Sequence, residues 1–504
     1  MTGGKGMSIC RREIWGKGLL LALLMVGWIA IAGKGHRTSV EASGEQAAPW
    51  GADESRIREE TLRHFQAILR LDTSNPPGNE KLVVDYLREV LEKEGIPTQT
   101  FALDPQRPNL VARLKGSGRN RPVLIMAHTD VVKVDPAKWV HPPFSATREG
   151  GYVYGRGTVD DKDNVVAGLM VMLELKRRRV ALDRDVIFLA EAGEEASTEW
   201  GIQFMVGKHW PEIEAEYCFA EGGSVTRTDG KIRFVSIQTS EKIPYRVTLT
   251  ARGPAGHGSV PLRSNAVVRA AQAVTRVAAW QTPMRLNETT RAYFERLAGI
   301  STAEEAGRYR ALLGGDLAAI ASAQEHLALH EPRHHSMLRT SISPNIITGG
   351  YQVNVIPSEA RATLDVRALS DEQMDRLLDA IRGVVNDPAV TVTVDNQNTR
   401  PVARPSRIDS EAFRVIEEVS TAHYGAVTLP TMSTGATDMA YLRARGVECY
   451  GIGPLIDSED GPRGFGAHSD QERILEESLH RFVRYHWDLV EKLSRSRQER
   501  GEIR

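Results

Sequence analysis

The side chains of this sequence that could hold metal ions fall in a definite order. His128 and Asp130 lie in VLIMAHTDVV, Asp160 in YGRGTVDDKDN, Glu194 and Glu195 in IFLAEAGEEAS, Glu221 in CFAEGGS and His468 in FGAHSDQE. His128, Asp160, Glu195, Glu221 and His468 offer the mixed imidazole and carboxylate donors that suit zinc or a similar divalent ion. Glu194 is left over beside them as a base for the water that such a centre activates. The spacing of His128 and Asp130 turns both to one side of a strand. Just past the strand end, Asp130 can accept a hydrogen bond from the imidazole and aim its other nitrogen at a metal. Asp160 could bridge two ions with one oxygen on each. Taken singly, each residue has a bland counterpart: a surface turn for the histidine, a solvated acidic turn for the glutamate pair. In combination the order points to a two-metal hydrolase, with an amide as the leading substrate class.

The elements needed to position these residues are legible as periodicity. Helical spacing runs through TLRHFQAILRL from about Glu59 and through NEKLVVDYLREVLEKEG, which stops at Gly95. NLVARLKG, PVLIMAHTDVV and RDVIFLAEA read as strands, with a helix over VVAGLMVMLELKRR between the last two. This alternation predicts a three-layer α/β/α domain with a mostly parallel sheet. His128, Asp130 and the Glu194-Glu195 pair then fall at carboxyl ends of strands, where open α/β sheets build their sites. From about Lys242 the texture becomes strand, helix, strand, strand, helix, strand, a two-layer α+β module. The tract 290–340 reads as a helical insertion in that module, expected to shape an acyl-side pocket. The α/β texture returns near Pro405 and closes with the helix RILEESLHRFVRYHWDLVEKL. The expected division is therefore 1–50 leader and tether, 51–241 and 401–495 the two parts of one domain, 242–400 the inserted module, and 496–504 a tail.

Composition narrows the partners. The 504 residues carry 64 Lys+Arg against 65 Asp+Glu, a net charge of -1, and no basic stripe tracks phosphates, so nucleic acid is not expected. The loop with Gly155 and Gly157 lacks the dinucleotide spacing, and acidic residues follow it where a phosphate would be repelled. Cys10, Cys218 and Cys449 show no C-x-x-C spacing and suggest no disulfide framework. Arg11, Arg12 and Lys17 precede an uncharged run from Gly18 to Gly33. That is the pattern of a signal peptide or a signal anchor, with Ala30-Ile31-Ala32 as a small-residue cleavage site. An extracytoplasmic enzyme follows as the expectation, secreted, periplasmic or attached to a membrane through residues 18–33.

With these motifs in hand, residues 55–495 strongly resemble the M20 family of metallopeptidases. GRGTVDDK with AEGG looks most like its carboxypeptidase S and N-fatty-acyl-amino-acid hydrolase branch, and FGAHSD is similar to bacterial glutamate carboxypeptidase. The resemblance implies two divalent ions, foremost Zn2+ with Co2+ or Mn2+ as alternatives. Asp160 would bridge them, His128 and Glu221 would complete one site, and Glu195 and His468 the other. It implies Glu194 as general base and later proton donor, Asp130 as the residue that orients His128, and a cis Asp160–Asp161 bond. It makes the α+β module a lid whose GPAGHGSVP loop carries His257 to the oxyanion, often from a partner subunit, so a homodimer through the lid is implied. Arg367 matches a lid arginine associated with the substrate carboxylate, a pairing that suits a guanidinium fork. Asn354 and the segment TGATDMA at 434–440 would shape the pocket. The substrate class implied is a small peptide or an N-acyl amino acid. A noncatalytic protein of the same fold would be expected to lack Glu194, and a phosphoesterase would be expected to carry a phosphate cradle or an arginine cluster.

Overall fold

The computed structural model describes residues 50–395 and 400–496. The apolar run 18–33, the tether before residue 50, Cys10 and the tail from 497 lie outside the described residues. Among the described residues no helix is long and apolar enough to cross a membrane. Two compact units are distinguished, one ending at Glu54 and one beginning at Ser55. In the first, the described residues form a 3-10 turn at Gly51–Asp53. The second holds the elements that follow.

Its large sheet is parallel only at the centre. Val186–Glu191, Val123–His128, Tyr217–Ala220 and Glu448–Gly451 run side by side in parallel, while Asn109–Leu114 pairs antiparallel with Val186–Glu191. On the other margin Lys231–Glu241 pairs antiparallel with Glu448–Gly451 and Ser224–Thr228, and takes Thr428–Ser433 alongside in parallel. Every residue of Val123–His128 and Val186–Glu191 is buried, because helices cover both faces. Leu124, Met126, Ile187 and Leu189 pack on one side with Ile202, Met205, Met439 and Leu442. On the other side the long helix Lys162–Arg177 lies on Val123–His128, and Glu476–Ser494 lies on that helix. Each such fully buried aliphatic side chain contributes about 1.5–3 kcal/mol of transfer free energy. The parallel centre brings the carboxyl ends at His128, Glu191 and Ala220 to one edge of the sheet.

The second module is a four-stranded antiparallel sheet in the order Ser341–Gly349, Glu359–Ala368, Ile243–Arg252, Val390–Asp395. Alternate residues Val247, Leu249 and Ala251, with Ala362, Leu364 and Val366, face helices Ala266–Ala279 and Met374–Val385. The strand-helix order read from the sequence is thus realised.

The insertion forms helices Glu288–Ile300, Ala303–Leu313, Leu317–His330 and Pro332–Met337. Capping boxes at Asn287 with Thr290 and Thr302 with Glu305 start the first two. Phe294, Leu297, Tyr309 and Leu312 pack with Leu429 and Met432 of the large sheet's outlying strand. Although the insertion interrupts the lid in sequence, its apolar stripe is buried against the other module.

Candidate metal centre

His128 is the last residue of its strand, and its ring is buried. Nδ1 donates to the backbone oxygen of Asp130 at 3.0 Å and lies 3.5 Å from Asp130 Oδ1. The nearer partner is therefore the carbonyl, where the sequence suggested the carboxylate. The consequence is the same, since Nε2 is left facing outward, 3.1 Å from Asp160 Oδ1 and 4.0 Å from Glu221 Oε2. The backbone N–H of His128 donates to Asp161 Oδ2 at 3.1 Å, which ties the strand end to the Asp160 loop. The Asp160–Asp161 bond is cis, as the family resemblance implies.

Asp160 stands between two imidazoles. Its Oδ1 meets His128, and its Oδ2 lies 3.0 Å from Nε2 of His468. His468 also sits 3.1 Å from Glu195 Oε2. Burial alone would raise the Asp160 carboxyl, but the two histidines hold it below the usual carboxylate range. Contacts with Asp160 and Glu195 push His468 up to about 10. His128, Asp160 and Glu195 form one group of converging donor atoms, and His128, Glu194 and Glu221 form another.

The carboxylate of Asp130 organises the next loop instead. Its Oδ1 accepts the backbone N–H groups of Gly193 and Glu194 at 3.0 and 3.2 Å, and its Oδ2 accepts that of Glu195 at 3.2 Å. Asn75 Nδ2 adds a fourth bond at 2.7 Å. Burial opposes ionisation, yet the His128 ring and these donors hold Asp130 below its ordinary value. Gly193, at φ +80°, makes the turn possible: a Cβ there would stand 2.5 Å from the Ser197 carbonyl oxygen.

These groups open onto a cavity of about 530 Å3, lined by Asp160, Glu194, Glu195, Glu221, His468, Thr437, Arg367 and Arg400 among others. Glu194 is pushed up to about 7, chiefly by burial and against the pull of Arg400, whose Nη2 donates to Glu194 Oε1 at 2.8 Å. Burial and then the neighbouring Glu194 drive Glu221 well above the carboxylate range. Segment 434–440 does shape the cavity, through Gly435, Ala436 and Thr437. Arg367 lines it too, with Nε and Nη2 closed on Asp365 at 2.8 and 3.2 Å.

His257 and Asn354 do not line this cavity. His257 pairs in register with Val355 on a short two-stranded ribbon and its Nδ1 lies 2.7 Å from Ser259 Oγ, while Asn354 directly precedes the ribbon's second strand, and both residues are exposed. The insertion 290–340 likewise supplies none of the cavity's lining residues. Its apolar face packs instead on Leu429 and Met432.

Sequence reasoning missed four positioning groups. Asn75 stands between the two N-terminal helical patterns with no ligand-like signal of its own. Arg400 has no local pattern around it, and its partners Glu194 and Asp438 are distant in sequence. Lys162 is buried and donates to the carbonyls of Ile68 and Leu71 at 3.2 and 2.7 Å, with burial pulling it down to about 7. Glu472 accepts the backbone N–H groups of Gly157 and Val159 at 3.1 and 2.9 Å and pairs with Arg156 at 2.5 Å. Arg156 in turn donates to the Ser469 carbonyl at 2.9 Å, so this pair clamps the Asp160 loop to the His468 loop. The one available signal was the acidic residue that follows His468 in HSDQE.

A two-layer lid on a layered α/β sheet, with histidines and carboxylates gathered at one sheet edge, is the architecture of a metal-dependent hydrolase. The profile for Peptidase family M20/M25/M40 matches residues 124–492. The chain belongs to this family, whose members are metal-dependent peptidases and amidohydrolases. It is 27% identical over 390 residues to an N-fatty-acyl-amino acid synthase/hydrolase of Xenopus tropicalis, covering 75% of this chain and 74% of that protein. A probable carboxypeptidase S-like protein of Dictyostelium discoideum is 26% identical over 395 residues, covering 76% and 74% respectively. The crystal structure of an M20 family metallo-carboxypeptidase from Sulfolobus solfataricus shares the fold, with a TM-score of 0.65 at 18% identity, covering 86% of this chain and 98% of that one.

Proposed function

We propose that this enzyme hydrolyses the amide bond of N-acyl amino acids, or of small peptides with a free C-terminal carboxylate, with the help of two divalent ions. The observation that carries the reading is Asp160, which presents one oxygen to His128 and the other to His468. The donor set fits such ions: the carboxylates of Asp160, Glu194, Glu195 and Glu221 line one cavity, and burial opposes the charge of Glu194 and Glu221. His128, Glu221 and one oxygen of Asp160 would hold one ion; Glu195, His468 and the other oxygen would hold the second. Imidazole with carboxylate favours zinc, with cobalt or manganese as substitutes. Bound ions would supply Lewis-acid polarisation of the carbonyl and an acidified water.

Glu194 takes a proton from the attacking water and delivers it to the leaving amine nitrogen, so one carboxyl serves as base and then acid. Asp130 holds the backbone of Glu194 and Glu195, which keeps base and ligand in fixed relation. His257 faces solvent in its own chain, and we assign it to the oxyanion of a second copy's cavity. The exposed Val260, Tyr351 and Val353 near it, and the outer strand with Ile346 and Ile347, support association through the lid. Sedimentation of the purified chain tests that assignment, and a monomer at micromolar concentration would overturn it. Arg11, Arg12 and Lys17 before the apolar run support a location outside the cytoplasm, a reading that detection of the intact chain in a cytosolic fraction would reject.

The substrate reading is tested with metal-loaded protein on matched dipeptides and short- and long-chain N-acyl amino acids, scored by released amino acid. The relative from Xenopus tropicalis, a synthase/hydrolase of N-fatty-acyl amino acids by its name, favours the acylated arm, while preference for dipeptides would make this a carboxypeptidase or dipeptidase. Glu194→Gln should lower kcat by at least about 100-fold while elemental analysis still finds two ions per chain. No turnover of any amide with two ions bound would sink the proposal.

A further inference from the structure

We infer that Arg156 is a positioning residue for His468, and that it acts through His468 on the ion shared with Glu195 and not on the ion shared by His128 and Glu221. The inference rests on the two-ion reading above and deepens it. The two histidines of the centre are placed by different means. His128 ends a buried strand and its Nδ1 donates to the backbone oxygen of Asp130, so its ring is oriented from behind. His468 has no such support. Its Nε2 meets only Asp160 and Glu195, its Nδ1 has no hydrogen-bond partner among the described residues, and its side chain is 55% exposed. It also stands at φ +60°, a left-handed conformation uncommon outside glycine. Nothing behind the ring aims this histidine, so its backbone has to be held.

Arg156 supplies that hold. Its side chain is buried, and the guanidinium lies 5.4 Å from the Trp139 ring centroid. Nη1 pairs with Glu472 Oε2 at 2.5 Å, and Nη2 donates at 2.9 Å to the carbonyl of Ser469, the residue after His468. The other bonds at this turn are local or exposed to water. Ser469 N and Oγ both donate to the Gly466 carbonyl, while Gln471 bonds to Lys138 and Val140 at the surface. One rigid fork thus joins the turn of His468 to the acid that binds the N–H groups of Gly157 and Val159 in the Asp160 loop. His128 and Glu221 depend on other partners, with His128 tied to Asp130 and Asp160 and Glu221 facing His128. A lysine at 156 could keep the pair with Glu472, but its single nitrogen lacks the fork that reaches the Ser469 carbonyl as well.

The test titrates the metal-free full chain with Zn2+ against a competing chelator and resolves the two stepwise affinities. In Arg156→Lys one affinity should fall by about 10- to 100-fold while the other stays at its wild-type value. His468→Ala should lower the same affinity. Adding Arg156→Lys to His468→Ala should then cost nothing further, because both changes act on one ion. Arg156→Gln is neutral and reaches only one of the two acceptors, so it serves as a second variant if the lysine variant does not fold, and it should show the same selective loss. Two affinities that fall together would overturn the inference by making Arg156 a support of the whole centre. Unchanged affinities, or losses that add in the double variant, would overturn it as well. If the wild type takes up fewer than two ions, the two-ion reading itself fails and takes this inference with it.

Discussion

Glu241 ends the strand from which the lid departs, and it offers a sharp test of how the cavity wall is held. Its Oε2 accepts from Gln238 Nε2 at 2.8 Å, Thr437 Oγ1 at 2.7 Å and Arg443 Nη1 at 3.0 Å, and its Oε1 accepts the backbone N–H of Thr437 at 3.2 Å. The pair is dry, with side-chain exposures of 2% for Arg443 and 6% for Glu241. Removing one partner of such a pair costs about 3–5 kcal/mol, because the other is left as an uncompensated buried charge. Glu241→Ala should therefore lose about that much. Two bonds of Arg443, to Ser406 Oγ and the Cys449 carbonyl at 3.1 Å each, cannot neutralise its charge. Replacing both residues by methionine removes the charge as well, and the double variant should recover to within about 1–2 kcal/mol of wild type. Urea titrations of wild type, Glu241→Ala and the Glu241→Met/Arg443→Met double variant, compared at similar m, give the differences. A single-variant loss below about 1 kcal/mol, or a double variant no more stable than the single, would refute the argument.

Three further outcomes follow from the same structure. Gly168→Ala would gain about 1 kcal/mol in an exposed helix, but here the added Cβ would stand 2.6 Å from a Phe188 ring carbon and 3.0 Å from Ile125. A net loss of about 1–3 kcal/mol in urea titration is expected, and any stabilisation would contradict the packing. His486 is buried with neither ring nitrogen hydrogen-bonded, and burial depresses it to about 3. The unfolded chain then binds the extra proton between the ordinary histidine value and about 3, so stability falls as pH drops through that window. His486→Leu should remove about 2 kcal/mol of the stability difference between pH 7 and pH 5, and an unchanged slope would reject the assignment. Asp130→Asn replaces one acceptor oxygen by a donor facing backbone N–H groups. It should weaken metal binding by about 10- to 100-fold in chelator competition, and unaltered affinity would show that Asp130 does not set the loop.

Much of the fold is visible in the sequence because its elements carry strong periodicity. The buried strands around His128 and Glu191 are continuous apolar runs, and the lid's strands alternate, so each announces its layer. The antiparallel margins of the large sheet were not visible, since a short apolar segment such as Asn109–Leu114 is silent about which way its neighbour runs. The docking of the insertion was equally hidden. Helix periodicity shows that Phe294 and Leu297 need a partner, and not that the partner is the strand holding Leu429 and Met432.

The candidate site divides the same way. Residue type and order by themselves singled out the candidate donors, and local patterning set His128, Glu194, Glu195 and Glu221 at or just past strand ends. Only the tertiary structure decided what holds them. Asp130 grips the loop of Glu194 and Glu195, Glu472 clamps the Asp160 loop to that of His468, and Arg400 meets Glu194 from across the cavity. Those contacts join residues from 64 to 315 positions apart through hydrogen bonds whose strength depends on burial and a few tenths of an ångström. Neither quantity is written in a local stretch of sequence. The same limit applies to His257, whose place in a glycine loop is legible, whereas its turning away from its own chain's cavity is a property of how the lid ribbon folds.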